Sequence, residues 1–191
     1  MVTAPKGESG GVPLNQEGRK LAMAWDPTKD EADGNQCKAY GAAGVMRIPG
    51  RVRVSWQDDN TMKIETEAGT QTRLFQFRGA PATGDTSWQG VSIASWEAAA
   101  VDRGQPRSGD LKVITSRLKP AYLRKNGIPV SANATVTEYY DLHKTPTGDS
   151  WLVVTTDVAD PTYLTQRFIT STHFKKLSAG APWQPEGCSA R

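Results

Sequence analysis

The chain has 191 residues, 37% of them hydrophobic and 23% charged, enough apolar material for one domain with a core and too much for a disordered segment. Its 23 basic and 20 acidic residues nearly cancel, to a net charge of +3, so no broad positive field points to nucleic acid. No apolar run approaches the roughly 18 residues of a membrane helix, so no transmembrane segment is expected.

The first thirteen residues, from Met1-Val2-Thr3-Ala4-Pro5 onward, lack the apolar centre of a signal peptide. They read as a flexible mature amino terminus behind an added start Met, leaving residues 14–191 as a single β-barrel-like domain. Leu14, Leu21, Ala24 and Trp25 then fall near helical spacing, and Asp26-Pro27 predicts a cap with proline opening a second short helix before residue 33. The carboxylates Asp26, Asp30, Glu31 and Asp33 lack the alternation of a calcium loop and suit helix ends instead. Gly34, Gly41 and Gly44 end the pattern, and Cys37 to Tyr40 reads as a loop.

After residue 45 the period becomes two. Val52, Val54 and Trp56 alternate with Arg51, Arg53 and Ser55, Asp58-Asp59-Asn60 turns the chain, Met62, Ile64 and Thr66 alternate with charged residues, and Ala68-Gly69 turns it again. Further strands are predicted over 70–77, 87–97, 110–119, 134–144, 150–159 and 165–176, with a hairpin at 146–149. The prediction is a mainly β fold with a short N-terminal helical segment: an antiparallel up-and-down meander of eight or nine strands closing or wrapping into a lipocalin-like barrel, with a two-sheet sandwich as the alternative. The stretches 98–109 and 120–133 read as loops bordering a mouth.

Cys37 and Cys188 have no nearby partner for a metal site or a redox pair, so a disulfide pinning the tail to the body is expected, the alternative being two reduced thiols. The phosphate-binding, dinucleotide and zinc-helix motifs are absent, and Gly90-Val91-Ser92-Ile93-Ala94 is an incomplete nucleophile elbow within a strand pattern. His143 and His173 would need carboxylates such as Asp141 or Glu138 to hold a metal, and neither a metal nor a cofactor is expected. Glu138 shares a strand face with Val136, Tyr140 and Leu142, which suggests either a carboxylate tuned for acid–base work or one paired with Arg73 or Arg124. Arg47, Arg51, Arg53, Arg73 and Arg78 form the densest basic group.

From Ser87 onward the wording is distinctive: Ser87-Trp88-Gln89-Gly90, Ala94-Ser95-Trp96-Glu97, Tyr122-Leu123-Arg124-Lys125-Asn126-Gly127-Ile128-Pro129, Thr137-Glu138-Tyr139 and Asp160-Pro161-Thr162-Tyr163-Leu164-Thr165, with Phe168 beyond. With Pro13-Leu14 and Trp25-Asp26-Pro27 at the front, this resembles a family of exported bacterial proteins to which no activity is assigned. The resemblance implies export and a β-rich fold, and it carries over no catalytic residue.

The functional expectation is a periplasmic or secreted binding module. Trp56, Trp88, Trp96, Phe75 and Tyr140 would wall a cavity for a small hydrophobic or amphipathic ligand, with Tyr122 and Arg124 near its mouth. Two alternatives stay open: an enzyme using Glu138, His173 or Tyr140 as acid or base in the same pocket, and an envelope structural protein with a filled interior.

Overall fold

The structure, a computed structural model, describes residues 4–77, 85–98 and 109–190. Helix α1 (Gln16–Ala24) begins where the Asn15 side chain accepts from the Gly18 amide, and α2 (Pro27–Ala32) where Asp26 accepts from Thr28 and Lys29 with Pro27 in the first turn. Both caps satisfy amide groups that a helix start leaves without partners. Residues 5–10, expected to be loose, are tethered instead: the Asn126 amide side chain donates to the carbonyls of Pro5 and Glu8, and Arg124 donates to those of Ser9 and Gly10. Beyond them Val12 is buried.

Ten strands follow among the described residues: β1 (Val52–Asp58), β2 (Thr61–Thr66), β3 (Gln71–Phe77), β4 (Val91–Ala98), β5 (Gly109–Ser116), β6 (Ala121–Arg124), β7 (Ile128–Val130), β8 (Thr135–Lys144), β9 (Ser150–Ala159) and β10 (Phe168–Lys175). Eight form one curled sheet in the order β1-β2-β3-β4-β5-β8-β9-β10, and β6 pairs with β7 apart from it. The three hairpins predicted at 58–60, 68–69 and 146–149 join antiparallel neighbours. Gly69, at φ +70°, makes the second of these turns directly beneath the Tyr40 ring, where a Cβ would come within 2.3 Å of a ring carbon.

Two features depart from a pure meander. β3 and β4 run parallel, so the chain between them must cross over rather than turn back. Residues 120–133, expected to be a mouth loop, contain the β6/β7 hairpin, turned at Gly127 (φ +86°) against Trp25. Of the other expected mouth loop, residues 99–108 lie outside the described residues, as does Arg78.

The sheet wraps into a half-barrel whose outer strands, β1 and β10, do not hydrogen-bond to each other, so the barrel is not closed. One end of the curl is packed by α1, the segment around Val12 and Leu14, and the β6/β7 hairpin, whose apolar residues join Val136, Val158 and Phe168 in one core. A second core, with Val45 and Met46 of the 3-10 turn Val45–Arg47, meets Ile64, Phe75, Val113, Tyr140 and Val154 on the concave face. The inner face of β8 records the passage from sealed end to open end: Val136 and Glu138 are fully buried, Tyr140 is 6% exposed and Leu142 68%.

Candidate functional site

Cross-strand register identifies the residues that share the concave face. Phe75 faces Ser92, Ser92 faces Thr115, Val113 faces Glu138, and Glu138 faces Thr156. Strands β3 and β8 are three places apart in the sheet, yet the curl brings Arg73 of one onto Glu138 of the other. The guanidinium donates to both carboxylate oxygens, Nη1 to Oε1 at 2.9 Å and Nη2 to Oε2 at 2.5 Å, and Nη2 also donates to Thr115 Oγ1 at 3.2 Å. Thr115 Oγ1 in turn lies 2.8 Å from Ser92 Oγ. Ser92 of the partial nucleophile elbow is thus a buried member of a hydrogen-bonded chain with no histidine in it.

Burial works against the Arg73 charge, but Glu138 and Tyr140 oppose it and its pKa ends above the ordinary arginine value. Tyr140 is also raised, well above the ordinary phenol range, by burial first and by the Glu138 charge second. The phenol therefore stays protonated, and both oxygens of Glu138 are taken by Arg73. Of the two partners weighed from sequence, Arg73 holds it. Arg124 instead ties down the N-terminal segment and lies over the Phe168 ring. Arg47, near it, is pushed down to about 10 by burial and then by the Arg124 charge.

Beyond the buried pair the concave face opens into a groove of about 1120 Å³. Its floor is apolar: Val52 and Val54 of β1, Met62 and Ile64 of β2, Trp96, Leu111, Tyr140 and Leu142, then Leu152 and Phe174. The remaining side is not a strand. Residues 176–183 run from β10 to β1 and line the groove with Leu177, Pro182 and Trp183, filling the gap that would otherwise separate the two sheet edges.

This strap is held at several points. Lys176 N donates to Ser150 O at 2.8 Å, Arg51 donates to the Pro182 carbonyl, and the Arg53 guanidinium lies 4.2 Å from the Trp183 ring centre. Glu67 then receives Gln184 N on its carboxylate at 2.7 Å and Glu186 N on its carbonyl at 2.9 Å. Last, Cys188 is bonded to Cys37, with the two Cα atoms 5.1 Å apart.

Of the residues expected to wall the cavity, Trp96 and Tyr140 do so. Trp56 stands beside the groove, 54% exposed, with its ring 5.2 Å from Phe77, which stacks on Trp96 at 5.9 Å. Phe75 is buried under Tyr140 and fills core. Trp88 packs against the sealed end. Tyr122 and Arg124 belong to β6, not to a mouth loop, and Tyr122 donates to the Asp30 carboxylate at 2.7 Å beside Trp25.

His173 falls on the outer face of β10, where its ring lies against Trp151 at the groove's edge, while Phe168, Thr170, Thr172 and Phe174 point inward. His143 lies on the outer face of β8, its Nε2 3.5 Å from Asp141. Neither histidine belongs to a cluster able to hold a metal among the described residues. The groove residues that periodicity could not supply are those of the strap, Trp183 above all, because a stretch rich in Gly, Pro and Ser has no pattern. The signal that could have found them is Cys188, since a bond to Cys37 obliges the chain after β10 to travel back across the body. Comparisons of this chain with models of protein families, with curated proteins and with solved structures found no match.

Proposed function

We propose that this chain is an exported binding module that takes a small apolar or amphipathic molecule into the groove of its half-barrel. The observation that carries the reading is the groove itself: about 1120 Å³, slightly above the usual range for small-molecule sites, and floored by side chains that a protein ordinarily buries. Val54 is 50% exposed, Trp96 58% and Leu142 68%, all toward the same concavity. Apolar surface in contact with water carries a solvation cost that a fitting ligand would offset by about 25 cal/mol per Å² covered. A structural protein with a filled interior has no use for it. Export is supported by the Cys37–Cys188 bond, because such bridges persist in oxidising compartments.

Trp96 and Trp183 both line the groove, so apolar ligands should change the intrinsic fluorescence saturably and raise the melting temperature. A ligand confined to the folded state adds about 2.7 kcal/mol at a hundred times its dissociation constant. Trp96→Ala should weaken binding at little cost in stability, whereas Phe75→Ala should cost about 3–5 kcal/mol of stability because that ring is fully buried. A panel of hydrophobic and amphipathic compounds that gives neither quenching nor thermal shift would overturn the reading.

A further inference from the structure

We infer that the groove's occupant is a single-chain amphiphile with an anionic head, held by the cations on the strap side of the groove, and the inference rests on the groove being a binding site. Charge distribution is the ground for it. The chain as a whole is nearly balanced, 23 basic against 20 acidic residues, yet among the described residues the groove is lined by Arg51, Arg53, Lys175 and Lys176 and by no aspartate or glutamate.

Two of these four cations are already neutralised. Arg51 bonds to Glu67 at 3.3 Å, and Lys175, which points to the outer face with Trp151, bonds to Asp149 at 2.8 Å. Arg53 and Lys176 are the two left with no carboxylate partner among the described residues. Arg53 is an outer-face residue of the edge strand β1, but instead of reaching Glu65, its cross-strand neighbour, its guanidinium lies over Trp183 of the strap. Glu65 is taken by Lys63 at 3.2 Å. Lys176 continues the inward alternation of Thr172 and Phe174 and so stands on the concave side.

Arg53 stands at the strap's β1 end and Lys176 at its β10 end, so an anion on the strap side of the groove would meet an unspent charge at the edge of an apolar floor, where reduced solvent access strengthens the attraction. The apolar row from Val54 and Ile64 toward Leu111, Leu142 and Leu152 then offers a track for a hydrocarbon tail. The strap bridges the two sheet edges, so the groove admits a chain-like molecule and not the face of a bilayer.

The test compares three amphiphiles with the same tail, laurate, dodecyl maltoside and dodecyltrimethylammonium, each below its critical micelle concentration, by tryptophan fluorescence and calorimetry. Laurate should bind about tenfold tighter than the maltoside at low salt, a difference of about 1.4 kcal/mol, and the trimethylammonium compound weakest. The preference should shrink as salt is raised. Arg53→Gln with Lys176→Gln should bring the laurate-to-maltoside affinity ratio down to about one, and Lys20→Gln on the exposed face of α1 should leave that ratio unchanged. Equal binding of laurate and maltoside would overturn the anionic head and leave the groove's role standing. No binding of any of the three would overturn both. Sedimentation with phosphatidylglycerol vesicles, in the absence of laurate binding, would make the occupant a membrane surface and likewise overturn the inference.

Discussion

Arg73 and Glu138 are 1% and 0% exposed and sit between the two cores, so their charges are taken wholly out of water. Removing two ions from water costs several kcal/mol each, and the bidentate contact with Thr115 and Tyr140 around it offsets this. Removing one partner leaves the other charged and alone. Glu138→Gln should therefore destabilise the fold by about 3–5 kcal/mol in urea unfolding, whereas Arg73→Met with Glu138→Leu should cost markedly less, since both charges go together. Equal losses for the single and double variants would show that packing volume, not the unpaired ion, sets the cost. Alternation along β8 was enough to place Glu138 among Val136, Tyr140 and Leu142. The choice between Arg73 and Arg124 was not legible, because it depends on which strand the curl carries opposite β8, and no local pattern encodes that.

The hairpins were legible because each is a short run of turn residues between two period-two segments, a signal contained within some fifteen to twenty residues. The parallel β3/β4 pairing and the off-sheet β6/β7 hairpin were not, because pairing across a crossover leaves no mark in alternation, and β7, over Ile128–Val130, is too short to show a period. The strap is the extreme case. It has no periodicity and is held by Glu67, whose carboxyl is drawn below its ordinary pKa by the Gln184 amide first, then, against a desolvation cost, by Arg51. A carboxyl with a folded pKa below its unfolded one contributes stability that is complete above the unfolded value and lost as pH falls through the folded one. The clasp should hold at neutral pH and release on acidification below the usual carboxylate range. Amide exchange measured at Gln184, whose N–H is held by the Glu67 carboxylate, should show protection at pH 7 that collapses in acid while Glu186, held by the Glu67 main-chain carbonyl, and the amides of β8 and β9 stay protected, and Glu67→Ala should give the same pattern at pH 7. Protection of Gln184 that is independent of pH would remove the Glu67 carboxylate as the clasp.

At the scale of the whole molecule, a curled sheet with two free edges has two ways to avoid exposing them: hydrogen-bond them together or cover the gap. This chain covers the gap. The strap lies between β1 and β10, and the bond between Cys37 and Cys188 fixes its far end over a separation of 151 residues. In the chain-entropy model a loop of that length restricts the unfolded chain enough to stabilise the fold by about 4–5 kcal/mol. Reduction should therefore lower the melting temperature and the urea midpoint by an amount consistent with that figure or less, with little change in β-sheet circular dichroism, because the sheet's own pairing does not involve either cysteine. Its effect on the groove should be conditional. At neutral pH the Arg51–Pro182 contact and the two amides on Glu67 still hold the strap after the sulfurs part, so ligand affinity should fall only slightly. Below the range in which Glu67 stays ionised, the reduced protein has lost the Gln184 contact as well as the far pin and keeps the main-chain bond from Glu186 and the Arg51–Pro182 contact, so affinity should fall further there than in the oxidised protein. Titrating one ligand against oxidised and reduced protein at both pH values gives four affinities. If reduction lowered affinity by the same factor at both, the bond and the clasp would act independently on the groove, and the view of the strap as one doubly secured wall would fail.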